Sequence, residues 1–310
     1  MAKEGIAGQI RSGATAAATH QRWWQRLVIA LTLAPALGLI AVLFGTSVVY
    51  GVAQSLGYLP FLGQRTLTLS AYRNILGGGN VAHDFWISFG FSLWVCSAAT
   101  LLAGAGALLV VMLFGDRLGG ATRGLMILNI NLSFPHLVWA IGLSLLLVQS
   151  GLLARVATAL HLIGMPADFP VLVRDRYGIG IILDYITKET PFLVLILLSI
   201  LRSQPHAFGV VAQNLGATRW QRLRYVTLPL VLPGLSAGAL LVFAYVFGAY
   251  EVPAVLGVQF PRMLSVLALE FFANPDLHSR AEGMAISVIM ALVVLVVALL
   301  GRILSNRSAS

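Results

Sequence analysis

The stretch that decides the fold class is the apolar run at residues 283–304, GMAISVIMALVVLVVALLGRIL, whose one charged side chain is Arg302. A helix that crosses the roughly 30 Å hydrocarbon layer of a membrane needs about 20 residues at 1.5 Å each. This run has the required length and almost no charge. We therefore expect a transmembrane helix here.

Comparable runs recur along the chain, separated by short polar segments. Hydrophobic residues make up 58% of the sequence and charged residues 10%, whereas soluble domains carry roughly 25% charged residues. The sequence predicts an all-α polytopic membrane protein, embedded in lipid, with six transmembrane helices. The predicted spans are Leu27–Tyr50, Phe85–Phe114, Leu125–Val148, Gly178–Leu201, Leu232–Leu256 and Gly283–Leu304.

The basic residues predict the orientation of these spans. With the N-terminus inside, twelve Lys and Arg residues fall in inside segments and seven in outside segments, which favours two cytoplasmic termini. The run that starts at Leu27 exceeds the roughly 7–15 apolar residues of a cleavable signal peptide, so we expect a retained helix. The predicted division is a cytoplasmic segment at 1–26, a transmembrane domain at 27–305 with a cytoplasmic loop at about 202–231, and a cytoplasmic tail at 306–310.

Composition argues against several classes of function. The formal charge is +9, but the basic residues are scattered without interleaved aromatic residues, so nucleic acid is not an expected partner. The single cysteine, Cys96, lies in an apolar run, where we expect a buried packing thiol and no metal site. The sequence has no phosphate-binding loop, and its lysines are Lys3 and Lys188 alone. We expect no catalytic residue, metal site or cofactor in this chain.

The cytoplasmic loop between the fourth and fifth spans predicts two short helices hinged at Gly216. The first covers about Ala207–Leu215, and the second starts near Thr218, a residue type that caps helix N-termini. Pro229 and Pro233 are expected to end the second helix and steer the chain into the fifth span.

These short helices could pack either against a partner protein or against the membrane surface. A helix of about nine residues is marginal in water, so a partner protein could cover its apolar face. Alternatively the helix lies on the membrane, with Arg219, Arg222 and Arg224 facing lipid phosphates. The outer loops Gly51–Asp84 and Gln149–Tyr177 leave a similar choice, between packing at the membrane interface and docking an external partner.

Polar side chains inside the predicted spans are candidates for a translocation pathway, because a charge at mid-membrane costs roughly 2.5–3.5 kcal/mol and needs a partner or a water-lined cavity. Asp184 and Lys188 are four residues apart and could instead form a structural ion pair on one helix face. His136 could likewise be a packing residue. The candidates are His136, Asp184, Lys188, Glu189, Tyr250 and Glu251.

The cytoplasmic loop also resembles a known motif. The pattern Ala212-x-x-Leu-Gly-Ala217-x-x-Trp220, continuing to Leu228-Pro229-x-x-x-Pro233-Gly234, resembles the coupling loop of binding-protein-dependent (type I) ABC importer permeases. Val210 and Val211 stand where the family has Glu-Ala, so the ion pair of that Glu is not implied. The residues that the resemblance assigns to coupling with an ATPase, together with two packing residues of the loop, are Ala212, Leu215, Gly216, Ala217, Trp220, Leu223, Pro229 and Pro233.

The segment 247–257, FGAYEVPAVLG, is similar to the branch that contains spermidine/putrescine permeases. The resemblance implies two ABC ATPase subunits that bind ATP and Mg, a second and non-identical permease chain, and a periplasmic solute-binding protein. It implies an inner-membrane importer whose solute could be a polyamine, although related permeases carry aminophosphonates, thiamine, iron complexes and organic anions. The alternatives are an ion-gradient-driven secondary transporter or channel, and a membrane-embedded enzyme.

Overall fold

The computed structural model of the protein describes residues 2–120, 122–203 and 214–308. Over these ranges the regular elements are all helical, which confirms the predicted fold class. The α-helices are α1 (Ala2–Ser55), α2 (Ser70–Leu76), α3 (Asn80–Gly120), α4 (Thr122–Ser133), α5 (His136–Leu147), α6 (Leu152–Ala159), α7 (Ile179–Ser203), α8 (Arg219–Arg222), α9 (Leu228–Gly248), α10 (Glu251–Leu256), α11 (Leu264–Phe272) and α12 (Arg280–Ser308). Residues 1–53 form one compact unit, and residues 54–310 form the unit described below.

Within the described ranges, five segments are long and apolar enough to cross a membrane: Val28–Ser55, Asn80–Phe114, His136–Ala159, Trp220–Gly248 and Leu277–Ile303. They confirm a multi-pass membrane protein. The 25-residue helix α7 is not among them, and it contains Asp184, Lys188 and Glu189. The six spans and the cytoplasmic position of both termini therefore stay predictions.

The third predicted span, Leu125–Val148, was wrong as a single helix. The chain leaves the helix after Ser133 and re-enters it at His136. Pro135 causes this break, because proline has no N–H to donate and disfavours helical dihedral angles at the residue before it. The structure thus divides the span into α4 and α5.

The fifth predicted span, Leu232–Leu256, was also wrong at both ends. Helix α9 ends at Gly248, Ala249 is extended, and α10 starts at Glu251. At the other end Pro229 and Pro233 do not stop the helix, since α8 continues through a π-helical turn at 223–227 into α9. In that turn the N–H of Leu228 bonds to the carbonyl of Leu223, five residues earlier, and the helix continues past Pro229 although Pro229 has no N–H to donate.

Helices α3 and α7 pack closely because α3 presents small residues to α7. Ala99, Ala103 and Ala107 recur every four residues on α3 and are fully buried. The hydroxyl of Thr190 donates to the carbonyl of Ala103 at 3.4 Å, and a Cβ added at Gly106 would lie 3.2 Å from the Oγ1 atom of Thr190. Small residues let membrane helices approach to this distance.

Helix α9 covers a further side of α7 by the same principle. A Cβ at Gly238 would lie 2.8 Å from the Cδ2 atom of Leu193 and 3.1 Å from the Cδ1 atom of Ile196, so a larger residue here would displace these side chains of α7. Helix α7 consequently lies between α3 and α9, and its polar residues are enclosed by protein.

We expect Ala103→Leu to destabilise the protein, because the added carbon atoms would force α3 and α7 apart. Overpacking of a buried site costs about 1–3 kcal/mol, which corresponds to a fall in Tm of about 3–10 °C. Thermal unfolding in detergent measures this fall. The matched control is Ala105→Leu, the same substitution at an exposed position of the same helix. Equal Tm values for the two variants would contradict the packing described here.

Candidate functional site

The break between α4 and α5 is bound by a side chain of α7. In an uninterrupted helix the carbonyl of Asn131 would accept a hydrogen bond from residue 135, which is a proline and has no N–H. The ammonium of Lys188 donates to this carbonyl at 2.8 Å and to the carbonyl of Phe134 at 2.7 Å. Although Lys188 is only 1% exposed, its charge therefore has hydrogen-bond partners.

The predicted ion pair between Asp184 and Lys188 was wrong. Lys188 donates to the two backbone carbonyls, and no ion pair between it and Asp184 occurs in the described part of the chain. Within that same part, neither carboxylate oxygen of the fully buried Asp184 has a hydrogen-bond partner. The spacing of four residues allowed the pair, but the freed carbonyls compete for the ammonium.

A second contact joins α7 to the start of α5. The imidazole Nε2 of His136 lies 3.1 Å from the carboxylate Oε1 of Glu189, and the two form an ion pair when the imidazole is protonated. Glu189 is buried and His136 is partly exposed. The structure thus brings together four of the six residues predicted for the pathway, namely His136, Asp184, Lys188 and Glu189.

Tyr245 extends this cluster and was missed by the sequence analysis. Its ring lies 4.9 Å from the ring of His136 and 6.4 Å from that of Tyr185. Tyr245 also lies within electrostatic range of the Glu189 and Glu251 carboxylates. A tyrosine in the middle of an apolar span was the available signal for it.

The remaining pathway candidates, Tyr250 and Glu251, lie where α9 gives way to α10. Both are exposed, and Glu251 is the first residue of α10. Helix α10 packs against α5 and α7, the two helices that carry His136 and Glu189. Glu251 therefore belongs to the surroundings of the polar cluster, whereas no described contact joins Tyr250 to it.

The second half of the predicted cytoplasmic loop, from residue 214 onward, contains a turn that leads into helix α8. The N–H of Gln221 donates to the hydroxyl of Thr218, and the N–H of Thr218 donates to the side chain of Gln221, which is a reciprocal cap. This confirms Thr218 as the start of the helix. Gly216 has φ +78°, a left-handed conformation that glycine adopts without strain.

Large apolar side chains on this turn and the helix that follows it are exposed on the surface of the protein. Leu215 is 81% exposed, Trp220 68% and Tyr225 70%. Leu215 and Tyr225 line an open hollow of about 400 Å³. Ala217 and Leu223 are partly buried, and Pro229 and Pro233 are exposed. Ala212 and most of the first predicted helix, Ala207–Leu215, lie outside the described residues.

Comparison with known proteins identifies the family. Residues 13–309 match the family described as the inner membrane component of binding-protein-dependent transport systems. The chain belongs to this family of ABC importer permeases. Its members are multi-pass proteins of the inner membrane, and ATP hydrolysis belongs to a separate ATPase, so this permease is not itself an enzyme.

Individual relatives agree with this assignment. The inner membrane ABC transporter permease protein YnjC of Escherichia coli is 29% identical over 66% of this chain, but the aligned region spans only 39% of that relative. The putrescine transport system permease protein PotI of Escherichia coli is 26% identical, with 78% of this chain and 83% of PotI covered.

A solved structure shows the same fold. It is the crystal structure of a bacterial ABC transporter involved in the import of the acidic polysaccharide alginate. The TM-score is 0.74 at 16% identity, and the match covers 92% of this permease and 99% of the other chain.

Proposed function

We propose that this permease forms half of a solute pathway across the inner membrane and is driven by a separate ATPase through the segment 214–231. The observation that carries the proposal is the set of exposed apolar side chains on an ordered turn, led by Leu215 and Trp220. On the cytoplasmic side, where the distribution of basic residues predicts this segment, an exposed apolar patch would mark a protein interaction site, and aromatic residues dominate the binding energy of such sites. Coupling residues in the described part are Leu215, Gly216, Ala217, Trp220, Leu223, Pro229 and Pro233, with Ala212 proposed from the sequence.

The proposed complex contains two ATPase subunits, which bind ATP and Mg, and a second, non-identical permease chain. A periplasmic solute-binding protein docks on the outer loops. Support comes from the family, whose description names a binding-protein-dependent system. The chain has no phosphate-binding loop of its own, so the nucleotide belongs to a partner.

Co-purification tests this assembly. The tagged protein, expressed from its natural host and extracted in mild detergent, is expected to bring down an ATPase with a phosphate-binding loop and a second permease, identified by mass spectrometry. The purified complex should hydrolyse ATP. A chain that purifies alone, stays folded and transports its solute along an ion gradient would favour the secondary transporter instead.

We expect Gly216→Val to uncouple ATP hydrolysis from transport. Gly216 has φ +78°, a conformation that a β-branched residue adopts only with strain, so the turn that presents Trp220 would be displaced. The expected result is loss of at least about 90% of solute uptake while the complex retains ATPase activity that no longer responds to the binding protein.

The matched control is Gly216→Asn, because asparagine tolerates left-handed dihedral angles. It adds a side chain at a position where a Cβ meets no atom within 4 Å. Normal coupling in Gly216→Val would contradict the role of this turn, and equal defects in both variants would assign the defect to bulk instead of backbone conformation.

We further propose that the solute is a cation such as a polyamine. The junction of α4, α5 and α7 and the adjoining α10 carry three carboxylates, those of Asp184, Glu189 and Glu251, against the single ammonium of Lys188. That ammonium is occupied by backbone carbonyls. The surplus of acidic groups suits protonated amines, and the relative PotI is a putrescine permease.

Neutralising Glu189 and Glu251, two carboxylates within electrostatic range of Tyr245, tests the solute class. In the variant Glu189→Gln/Glu251→Gln the shape is kept, and the amide oxygen that replaces the carboxylate of Glu189 still offers His136 an acceptor, but both charges are lost. We expect uptake of radiolabelled putrescine to fall at least about tenfold, since a charged hydrogen bond contributes about 1.5–3 kcal/mol.

The control variant is Glu270→Gln, which neutralises an exposed carboxylate that binds Arg262 outside the cluster. It should transport putrescine at the wild-type rate. Unchanged uptake in the double variant would remove the support for a cationic solute while leaving the importer assignment intact.

A further inference from the structure

The discontinuity between α4 and α5 creates two helix ends of opposite polarity side by side. A helix carries about half a negative charge at its C-terminus and half a positive charge at its N-terminus. Helix α4 ends at Ser133 and α5 begins at His136, so a negative end and a positive end are separated by Phe134 and Pro135. Lipid hydrocarbon cannot solvate these ends, so they need protein groups or a water-lined cavity.

Two consecutive residues of α7 meet these two ends with matching signs. The ammonium of Lys188 binds the carbonyls at the C-terminal end of α4, at 2.8 and 2.7 Å. The carboxylate of Glu189 accepts a hydrogen bond from the side chain of His136, the first residue of α5, at 3.1 Å. Lys188 therefore binds the backbone of the negative end directly, whereas Glu189 binds the side chain of the first residue at the positive end.

We propose that Lys188 and Glu189 act together as a clamp that holds the broken helix, and that Lys188 is a positioning residue instead of a contact to the solute. Both are buried, at 1% and 7% exposure, so α7 fixes the clamp rigidly. The Nζ atom of Lys188 also lies 5.9 Å from the centre of the Trp139 ring, one turn into α5. This cation–π contact is a further interaction of the ammonium with α5. The clamp holds His136 beside Tyr245. The effect of the clamp on transport rests on the proposed function, whereas its effect on protein stability does not.

A suppressor experiment tests the role of Lys188 in the clamp. Lys188→Met removes the ammonium, leaves the carbonyl of Phe134 unbound and that of Asn131 with only a long bond of 3.4 Å from the N–H of Phe134, and should lower the Tm of the detergent-solubilised protein by about 5–10 °C. Adding Pro135→Ala supplies the missing N–H for the carbonyl of Asn131 and should recover at least half of the loss. Lys188→Arg keeps a cationic donor in a larger, planar group, so its Tm should lie between that of Lys188→Met and that of the wild type.

The matched control is Pro35→Ala in the Lys188→Met background, which removes a proline from the interior of α1. It should raise the Tm by no more than the same substitution does in the wild-type protein, whereas Pro135→Ala should raise it by more in the Lys188→Met background than in the wild type. If Lys188→Met yields no folded protein, the amount recovered from the membrane replaces Tm as the readout, with the same expected order. Full stability of Lys188→Met, or equal recovery by Pro135→Ala and Pro35→Ala, would overturn the clamp.

Charge reversal tests the pair. Lys188→Glu/Glu189→Lys keeps the net charge but places each sign beside the wrong helix end, and it should lose at least as much Tm as Lys188→Met. A reversed pair as stable as the wild type overturns the sign-matched clamp. Because these readouts need neither solute nor ATPase, failure of the proposed function would leave them unaffected.

Discussion

The constraint on which the second unit depends is that membrane hydrocarbon offers no hydrogen bonds to a carbonyl that has left a helix. Pro135 frees such carbonyls between α4 and α5, and the ammonium of Lys188 binds them. This requires a charged helix, α7, inside the protein and not facing lipid. The alanine stripe on α3 and Gly238 on α9 make that possible, because they let both helices approach α7 closely.

Helix α7 can carry three charged residues near mid-membrane because it is surrounded by other helices of the protein. A single charge at mid-membrane costs roughly 2.5–3.5 kcal/mol, so a lipid-facing helix with three charged residues would be strongly disfavoured. Within the protein each charge can be met locally, as Lys188 is by carbonyls and Glu189 by His136. Asp184 has no such hydrogen-bond partner among the described residues, which leaves the cluster with a surplus of acid.

Sequence alone predicted the apolar helices and the cap at Thr218, because these depend on local composition and on side chains a few residues apart. It did not predict the break at Pro135 or the partner of Lys188. The partner is a pair of backbone carbonyls on another helix, and such groups leave no mark in the side-chain pattern. The prediction that Pro229 ends the helix was also wrong. A π-helical turn at residues 223–227 precedes this proline, and the chain stays helical through it. The coupling and pathway roles remain predictions.

The continuity of the helix at Pro229 affects how a movement of the coupling turn would be transmitted into the membrane domain. With α8, the π-helical turn and α9 continuous, one helix runs from Trp220 to Gly248. Trp220 and Tyr245 lie at its two ends, about 40 Å apart at 1.5 Å per residue. Helices bend at prolines and at π-helical turns, and this helix has both between residues 223 and 233. In the proposed importer, a displacement of the coupling turn would therefore reach Tyr245, and through it the ring of His136, along one helix that bends at this point.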